Sequence, residues 1–282
     1  MRRLIAFVLA SCALASTLCA HDFWVEPETF TPKHGELLRV RLKVGDFGRG
    51  DNVPRSDQRL VHFDLVAADR TKPLVGRDGQ EVAGLVRVES EGTLLLGYVS
   101  NHAFVELAPA KFAAYLEEKG LDAVAAARTE RGELDEPGRE LYSRSAKSLI
   151  TVTAPSTEGF DRVMNLPLEL IPNKNPSTLA RRADGSGYEA LPVTLFFEQK
   201  PLAGALVAAL CLDEPRDDAT ATIFARTDEL GRASLALTRS GRWLIAAVHM
   251  RAAVANERHA DWESFWGSLT FEVPPALPAE RR

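Results

Sequence analysis

Apolar and polar side chains alternate through short stretches of this chain, and this alternation restricts the fold more than any other feature. Between residues 38 and 44, apolar residues at the even positions alternate with Arg39, Arg41 and Lys43. A period of two places one set of side chains on each face of an extended strand. We predict strands at 37–44, 60–66, 94–99, 103–107, 149–152, 168–171, 193–197, 205–212, 222–227, 233–237, 243–249 and 269–273.

One segment, residues 109–131, breaks the strand pattern. It is rich in Ala, Glu, Lys and Leu, which favour helices. Pro109 suits the first turn of a helix, and Gly120 suits a helix end, after which Leu121 begins a second short helix. The sequence therefore predicts a helical hairpin inserted into a β domain.

Prolines cluster between residues 154 and 192, which is typical of a domain boundary. Short strands with regular turns on both sides of it indicate β-sandwiches. We predict a mainly β protein with two β-sandwich domains of the immunoglobulin or transthyretin type, the first carrying the hairpin. The predicted divisions are a signal peptide at 1–20, an N-terminal domain at 21–160, a C-terminal domain at 161–275 and a tail at 276–282.

The start of the chain has the pattern of a secretory signal peptide, a short basic segment followed by an apolar run. Small residues at the end of the run predict cleavage after Ala20, which releases His21 as the first residue; the tripeptide at 13–15 is a second candidate cleavage sequence. A lipobox-like segment ending at Cys12 offers the alternative of a lipid anchor, although the apolar stretch before it is short. We expect a periplasmic protein with no transmembrane segment after cleavage.

Composition and motifs exclude several classes of function. The formal net charge is −5 with no basic run, which argues against a nucleic-acid partner. After cleavage Cys211 is the single cysteine, so we expect no internal disulfide and a thiol that packs as a small apolar group. The chain lacks a nucleophile elbow, a metalloprotease helix motif, a P-loop and a dinucleotide fingerprint. We therefore expect no enzymatic activity.

His21 is the most informative candidate for chemistry. At a free N-terminus it offers an α-amine and a ring nitrogen, which together can chelate one metal ion. The amine has a reference pKa of about 7.7–8.0, so part of it is deprotonated near neutral pH. Nitrogen-rich sites suit nickel, cobalt, copper or zinc. The alternative is that the cleaved end has no role and frays.

Two further residues complete the predicted metal site, His249 and Asp261. His249 ends an apolar strand, where a core histidine held by hydrogen bonds is the alternative interpretation. Asp261, or nearby Glu263, could supply an oxygen ligand. The segment 261–266 would bring its two tryptophans onto one face if it formed a helical turn.

Three blocks in order resemble the periplasmic nickel-uptake family known as NikM or NikK, formerly a domain of unknown function. The first is the HDFWVEP start at 21–27, the second is ELYSRSAK at 140–147, and the third is a C-terminal signature between 243 and 271. The second domain also resembles the transthyretin-like or carboxypeptidase-regulatory β-sandwich, a fold used for binding and spacing.

The resemblance implies a periplasmic accessory protein that binds nickel or cobalt and serves an envelope transporter, with His21 and His249 among the ligands. Ser145 stands where the family often has a cysteine. Two alternatives stay open: a non-catalytic interaction module of the envelope, and a copper carrier with an N-terminal histidine chelate. An oxidative copper enzyme would need a flat aromatic face, which the 7% aromatic content does not favour.

Overall fold

The computed structural model describes residues 21–254 and 259–275. The predicted signal peptide and tail lie outside the described residues. The strands are β1 (Asp22–Pro27), β2 (Leu37–Asp46), β3 (Arg49–Val53), β4 (Leu60–Val66), β5 (Thr71–Pro73), β6 (Val82–Arg87), β7 (Gly92–Ser100), β8 (Ala103–Leu107), β9 (Gly138–Val152), β10 (Leu168–Pro172), β11 (Leu191–Phe197), β12 (Lys200–Pro201), β13 (Leu206–Cys211), β14 (Ile223–Arg226), β15 (Arg232–Leu235), β16 (Gly241–Ala252) and β17 (Trp262–Val273). The α-helices are α1 (Pro109–Glu118) and α2 (Asp122–Arg131).

A large central sheet organises the described part of the chain into layers. Nine described strands form it, in the order β14-β13-β16-β17-β9-β7-β4-β5, with β8 paired to the first half of β9. Its strands are antiparallel except for β17 and β9, which run parallel. Two smaller sheets cover it: the N-terminal small sheet (β1, β2, β3, β6) and the C-terminal small sheet (β10, β11, β12, β15).

The two small sheets pack on opposite faces of the central sheet. Along β16, Ile245 and Ala247 belong to the core under the C-terminal small sheet, whereas Val248 and Met250 pack under the helical hairpin. Since successive strand residues point to opposite faces, the hairpin and the C-terminal small sheet lie on different sides. The N-terminal small sheet shares the hairpin's side, because its core includes the even-numbered residues of β7 and β9.

The helical hairpin forms where the sequence predicts it. Pro109 is the first residue of α1, and Gly120, with φ of 64°, lies between the two helices. Gly132 then ends α2 in the left-handed conformation that favours glycine. Neither helix in the described ranges is long and apolar enough to cross a membrane.

The prediction of a mainly β fold with sandwich-like layers and an inserted hairpin is confirmed. The predicted strands at 60–66 and 103–107 coincide with β4 and β8. Strands from both sides of the predicted 160/161 boundary share the central sheet through the β9–β17 pairing. The two-domain division itself stays a prediction.

Several segments differ from the sequence prediction, which contains no strand at β1, β3, β5, β6 or β12 and makes two central strands too short. Strand β9 begins at Gly138 rather than near 149, and β17 begins at Trp262 rather than 269. The segment 261–266 is therefore mostly strand and not a helical turn. Both strands are central and covered on both faces, so their buried polar residues hide the alternation expected of a half-exposed strand. Cys211 is half-buried at the margin of the core, as expected of a small apolar group.

Candidate functional site

The first described residue, His21, is held in place by the strand that follows it. Phe23, Trp24 and Val25 are buried, and β1 pairs with β2 along its whole length. The Oγ1 of Thr270 on β17 donates a hydrogen bond to the Val25 carbonyl at 2.7 Å. This strand is therefore anchored on both sides, and His21 is carried at its end.

The register of β1 and β2 brings Asp46 to His21. Asp22 pairs with Gly45, so residue 21 lies opposite residue 46 at the end of β2. The β2–β3 turn places Phe47 and Gly48 at φ of 51° and 82°, the signs of a type I′ hairpin turn. A side chain at Gly45 would lie 1.9 Å from the Arg49 carbonyl oxygen. The tight turn thus fixes the position of Asp46.

The Nδ1 atom of His21 contacts Oδ2 of Asp46 directly. Their side chains are 33% and 29% exposed, so the pair is partly sheltered but open to a small ion. Burial raises the pKa of Asp46, and the nearby charges of His21 and Lys119 oppose this rise only in part. A metal ion that reaches this pair would meet one imidazole nitrogen and one carboxylate oxygen, both ordinary metal donors.

A second charged group adjoins this pair. Lys119, the residue after α1, has its Nζ 3.0 Å from Oδ1 of Asp22 and 2.9 Å from Oε1 of Glu118. Burial, the largest influence, favours the neutral amine, but the Asp22 and Glu118 carboxylates together outweigh it and raise the pKa of Lys119. Asp22, a potential oxygen donor beside His21, is thus bound to a lysine.

His249 lies on the other face of the central sheet, under the C-terminal small sheet. Its ring centroid is 4.3 Å from that of Phe197, and the Phe265 ring stacks at 6.5 Å. Burial first, and then the positive charge of Arg251, lower the pKa of His249. It is a partly buried imidazole packed against aromatic rings, an environment closer to the core-histidine interpretation than to a metal site.

The two candidate carboxylates are both paired with arginines. Asp261 accepts two hydrogen bonds from Arg139, Nε to Oδ2 at 2.9 Å and Nη2 to Oδ1 at 3.0 Å. Glu263 accepts from Nε of Arg251 at 2.7 Å, and its other oxygen lies 3.1 Å from Nε2 of His102.

The structure therefore does not bring His21, His249 and Asp261 together. Throughout residues 21–254 and 259–275, no three His, Cys, Asp or Glu side chains are arranged to hold one ion. The pair that does form joins His21 to Asp46, a residue that the sequence analysis did not select. The available signal was the β1–β2 register, which is not visible until the two strands are paired.

The sequence profile of a family described as a domain of unknown function, DUF4198, matches residues 18–251. The chain belongs to this family. The match spans β1, the hairpin and most of the central sheet, and it includes both His21 and Asp46. Among curated proteins, none matches the sequence.

Proposed function

We propose that this protein is a periplasmic accessory protein that binds a divalent transition metal, nickel or cobalt, for delivery to an envelope uptake system. The observation that carries the proposal is the contact between Nδ1 of His21 and Oδ2 of Asp46 at the start of β1. The resemblance of the 21–27, 140–147 and 243–271 blocks to the nickel-uptake family supports the choice of metal.

Cleavage after Ala20 would complete the donor set. It would convert the backbone amide nitrogen of residue 21 into an α-amine, and metal binding would displace the remaining proton from it. Nδ1 is the ring nitrogen that closes a six-membered chelate ring with the α-amine of the same residue. Because Nδ1 also faces Asp46, two nitrogens and one carboxylate oxygen can converge on one ion.

This donor set fits a carrier of borderline metals. Imidazole nitrogens suit nickel, copper and zinc, whereas calcium and magnesium favour sites made of oxygens alone. Three protein donors leave coordination positions for water or for a ligand from a receiving protein. Copper binds most such sites more tightly than nickel, so the choice in the cell depends on supply as well as on the ligands.

The test is a calorimetric titration of the correctly processed protein with nickel, cobalt, copper and zinc. Asp46→Asn keeps the shape of the side chain but removes the anionic oxygen, and we expect it to weaken nickel binding on the order of 10- to 100-fold. Asp261→Asn and His249→Phe serve as matched controls, and both should bind nickel like the wild type.

Three results would overturn the proposal. Heat signals at the dilution background for all four metals would favour the interaction-module alternative. Loss of binding in Asp261→Asn or His249→Phe, with Asp46→Asn unaffected, would move the site away from His21. Tight binding of copper without measurable nickel or cobalt binding would favour the copper carrier.

A further inference from the structure

Lys119 places a largely buried ammonium next to the proposed metal site, through its ion pair with Asp22. Its side chain is 12% exposed, and its ammonium lies over the Trp266 ring, 5.5 Å from the centroid. The ion pair with Asp22 links α1 to β1, directly beside His21. The helical hairpin therefore holds an ammonium, shared between Asp22 and Glu118, beside the start of β1.

The Lys119 charge acts on two carboxylates of the site, those of Asp22 and Asp46. It neutralises Asp22, the neighbour of His21 in the chain, and its field reaches the Asp46 carboxylate. Like charges repel most strongly where water is partly excluded, and Lys119 is largely buried. A divalent ion between His21 and Asp46 would thus bind against the repulsion of a nearby ammonium.

We propose that Lys119 is a built-in competing cation that holds the site's affinity for divalent metals below what its ligands would otherwise give. The inference rests on the proposed function, because it concerns the same site. In the metal-free protein the ammonium keeps the buried Asp22 carboxylate paired, which avoids the cost of an isolated buried charge. In the metal-bound protein it favours release, as a carrier requires.

The surroundings of Lys119 allow a matched set of variants. Lys119→Met removes the charge and keeps most of the side-chain volume, whereas Lys119→Arg keeps the charge. Lys111→Met removes an exposed lysine from α1, the helix that Lys119 directly follows, and so controls for the change in net charge. Each variant is produced with His21 as its first residue, stripped of metal and titrated with nickel by calorimetry.

We expect Lys119→Met to bind nickel at least about tenfold more tightly than the wild type. Lys119→Arg and Lys111→Met should stay within about threefold of the wild type, since neither removes the charge beside the site. Should Lys119→Met fail to fold, the comparison is repeated in an Asp22→Asn background, which leaves no buried carboxylate at position 22. Asp22→Asn/Lys119→Met should then bind nickel about tenfold more tightly than Asp22→Asn.

Failure of this inference is distinct from failure of the proposed function. If nickel binds but Lys119→Met matches Lys119→Arg, or binds more weakly, the competing-cation role is wrong and the metal site stands. If none of the variants binds nickel, cobalt, copper or zinc, the proposed function fails and this inference fails with it.

Discussion

The Nζ atom of Lys147 on β9 lies 2.8 Å from Oε1 of Glu169 on β10, and the two side chains are 0% and 2% exposed. The pair joins the central sheet to the C-terminal small sheet. Glu169 also accepts hydrogen bonds from the backbone nitrogens of Met164 and Leu166, at 2.7 and 3.2 Å. Burial lowers the pKa of Lys147, and the Glu169 carboxylate opposes this.

Removing one member of this pair should be far more damaging than removing both. Lys147→Met leaves a buried carboxylate without its cation, and we expect it to lower the free energy of unfolding by about 3–5 kcal/mol. Lys147→Met/Glu169→Gln should recover part of the loss, because it leaves no buried charge, although the glutamine oxygen can replace only one of the two carboxylate oxygens that accept the backbone hydrogen bonds. Urea unfolding measures both values. A single variant that costs less than about 1 kcal/mol would contradict the assignment of a tightly coupled pair.

Glu140 gives the fold a measurable pH dependence. It is buried beneath the hairpin, where Ser264 Oγ and Tyr115 OH donate hydrogen bonds to its carboxylate. Burial raises the pKa of Glu140 to about 7, against these hydrogen bonds. At a pH between the pKa of Glu140 in the unfolded chain and its higher pKa in the folded protein, Glu140 holds a proton in the native state that it has released in the unfolded chain. Glu140 therefore stabilises the fold at low pH, and this contribution is lost as the pH rises towards 7.

The measurement compares wild type with Glu140→Gln across pH, so that other titrating groups cancel. The free energy of unfolding of the wild type, relative to the variant, should fall by roughly 3 kcal/mol between pH 4.5 and 7.5. A relative stability that stays flat or increases over this range would be incompatible with a buried, protonated Glu140.

Gly50 on β3 leaves room for the Trp24 ring, which extends from β1 across β2. A Cβ atom there would lie 2.2 Å from the Trp24 ring, which is 1% exposed and has no space to move. We expect Gly50→Ala to lower the free energy of unfolding by about 1–3 kcal/mol and to weaken nickel binding, because His21 directly precedes the strand that carries Trp24.

Gly97→Ala is the matched control for this substitution. Its Cβ would also lie 2.2 Å from a neighbour, but that neighbour is the flexible terminal methyl of Met164. In a thermal unfolding experiment, Gly97→Ala should therefore lower the stability less than Gly50→Ala does. It should leave nickel binding unchanged. Equal losses of stability from the two alanines would show that the Trp24 contact does not determine the packing.

The sequence predicted those elements that are specified by residues close together in the chain. The hairpin has its proline at the start and glycines at its ends, and β2 alternates because one of its faces meets solvent. Residues 138–148 of β9 were missed, because Glu140 and Lys147 are buried there and paired with residues that are distant in the sequence. A polar residue that acquires its partner only on folding leaves no local signature.

Only part of the candidate site could be predicted, again because some of its contacts form between residues that are distant in the sequence. The position of His21 next to a cleavage site is a local feature, and the sequence analysis selected it. Its pairing with Asp46 depends on the β1–β2 register. The placement of His249 away from it depends on which sheet covers which face of β16. Strand alternation indicates that two faces exist but not what covers each of them.

The most direct test of the metal-binding account is the addition of one alanine before His21. The extension converts the α-amine into an amide, a poor donor near neutral pH, and leaves the imidazole and Asp46 in place. Nickel, cobalt and copper titrations of the mature and extended proteins should differ by several kcal/mol in binding free energy, about two orders of magnitude or more in affinity. Equal affinities of the two proteins for all three metals would contradict the account.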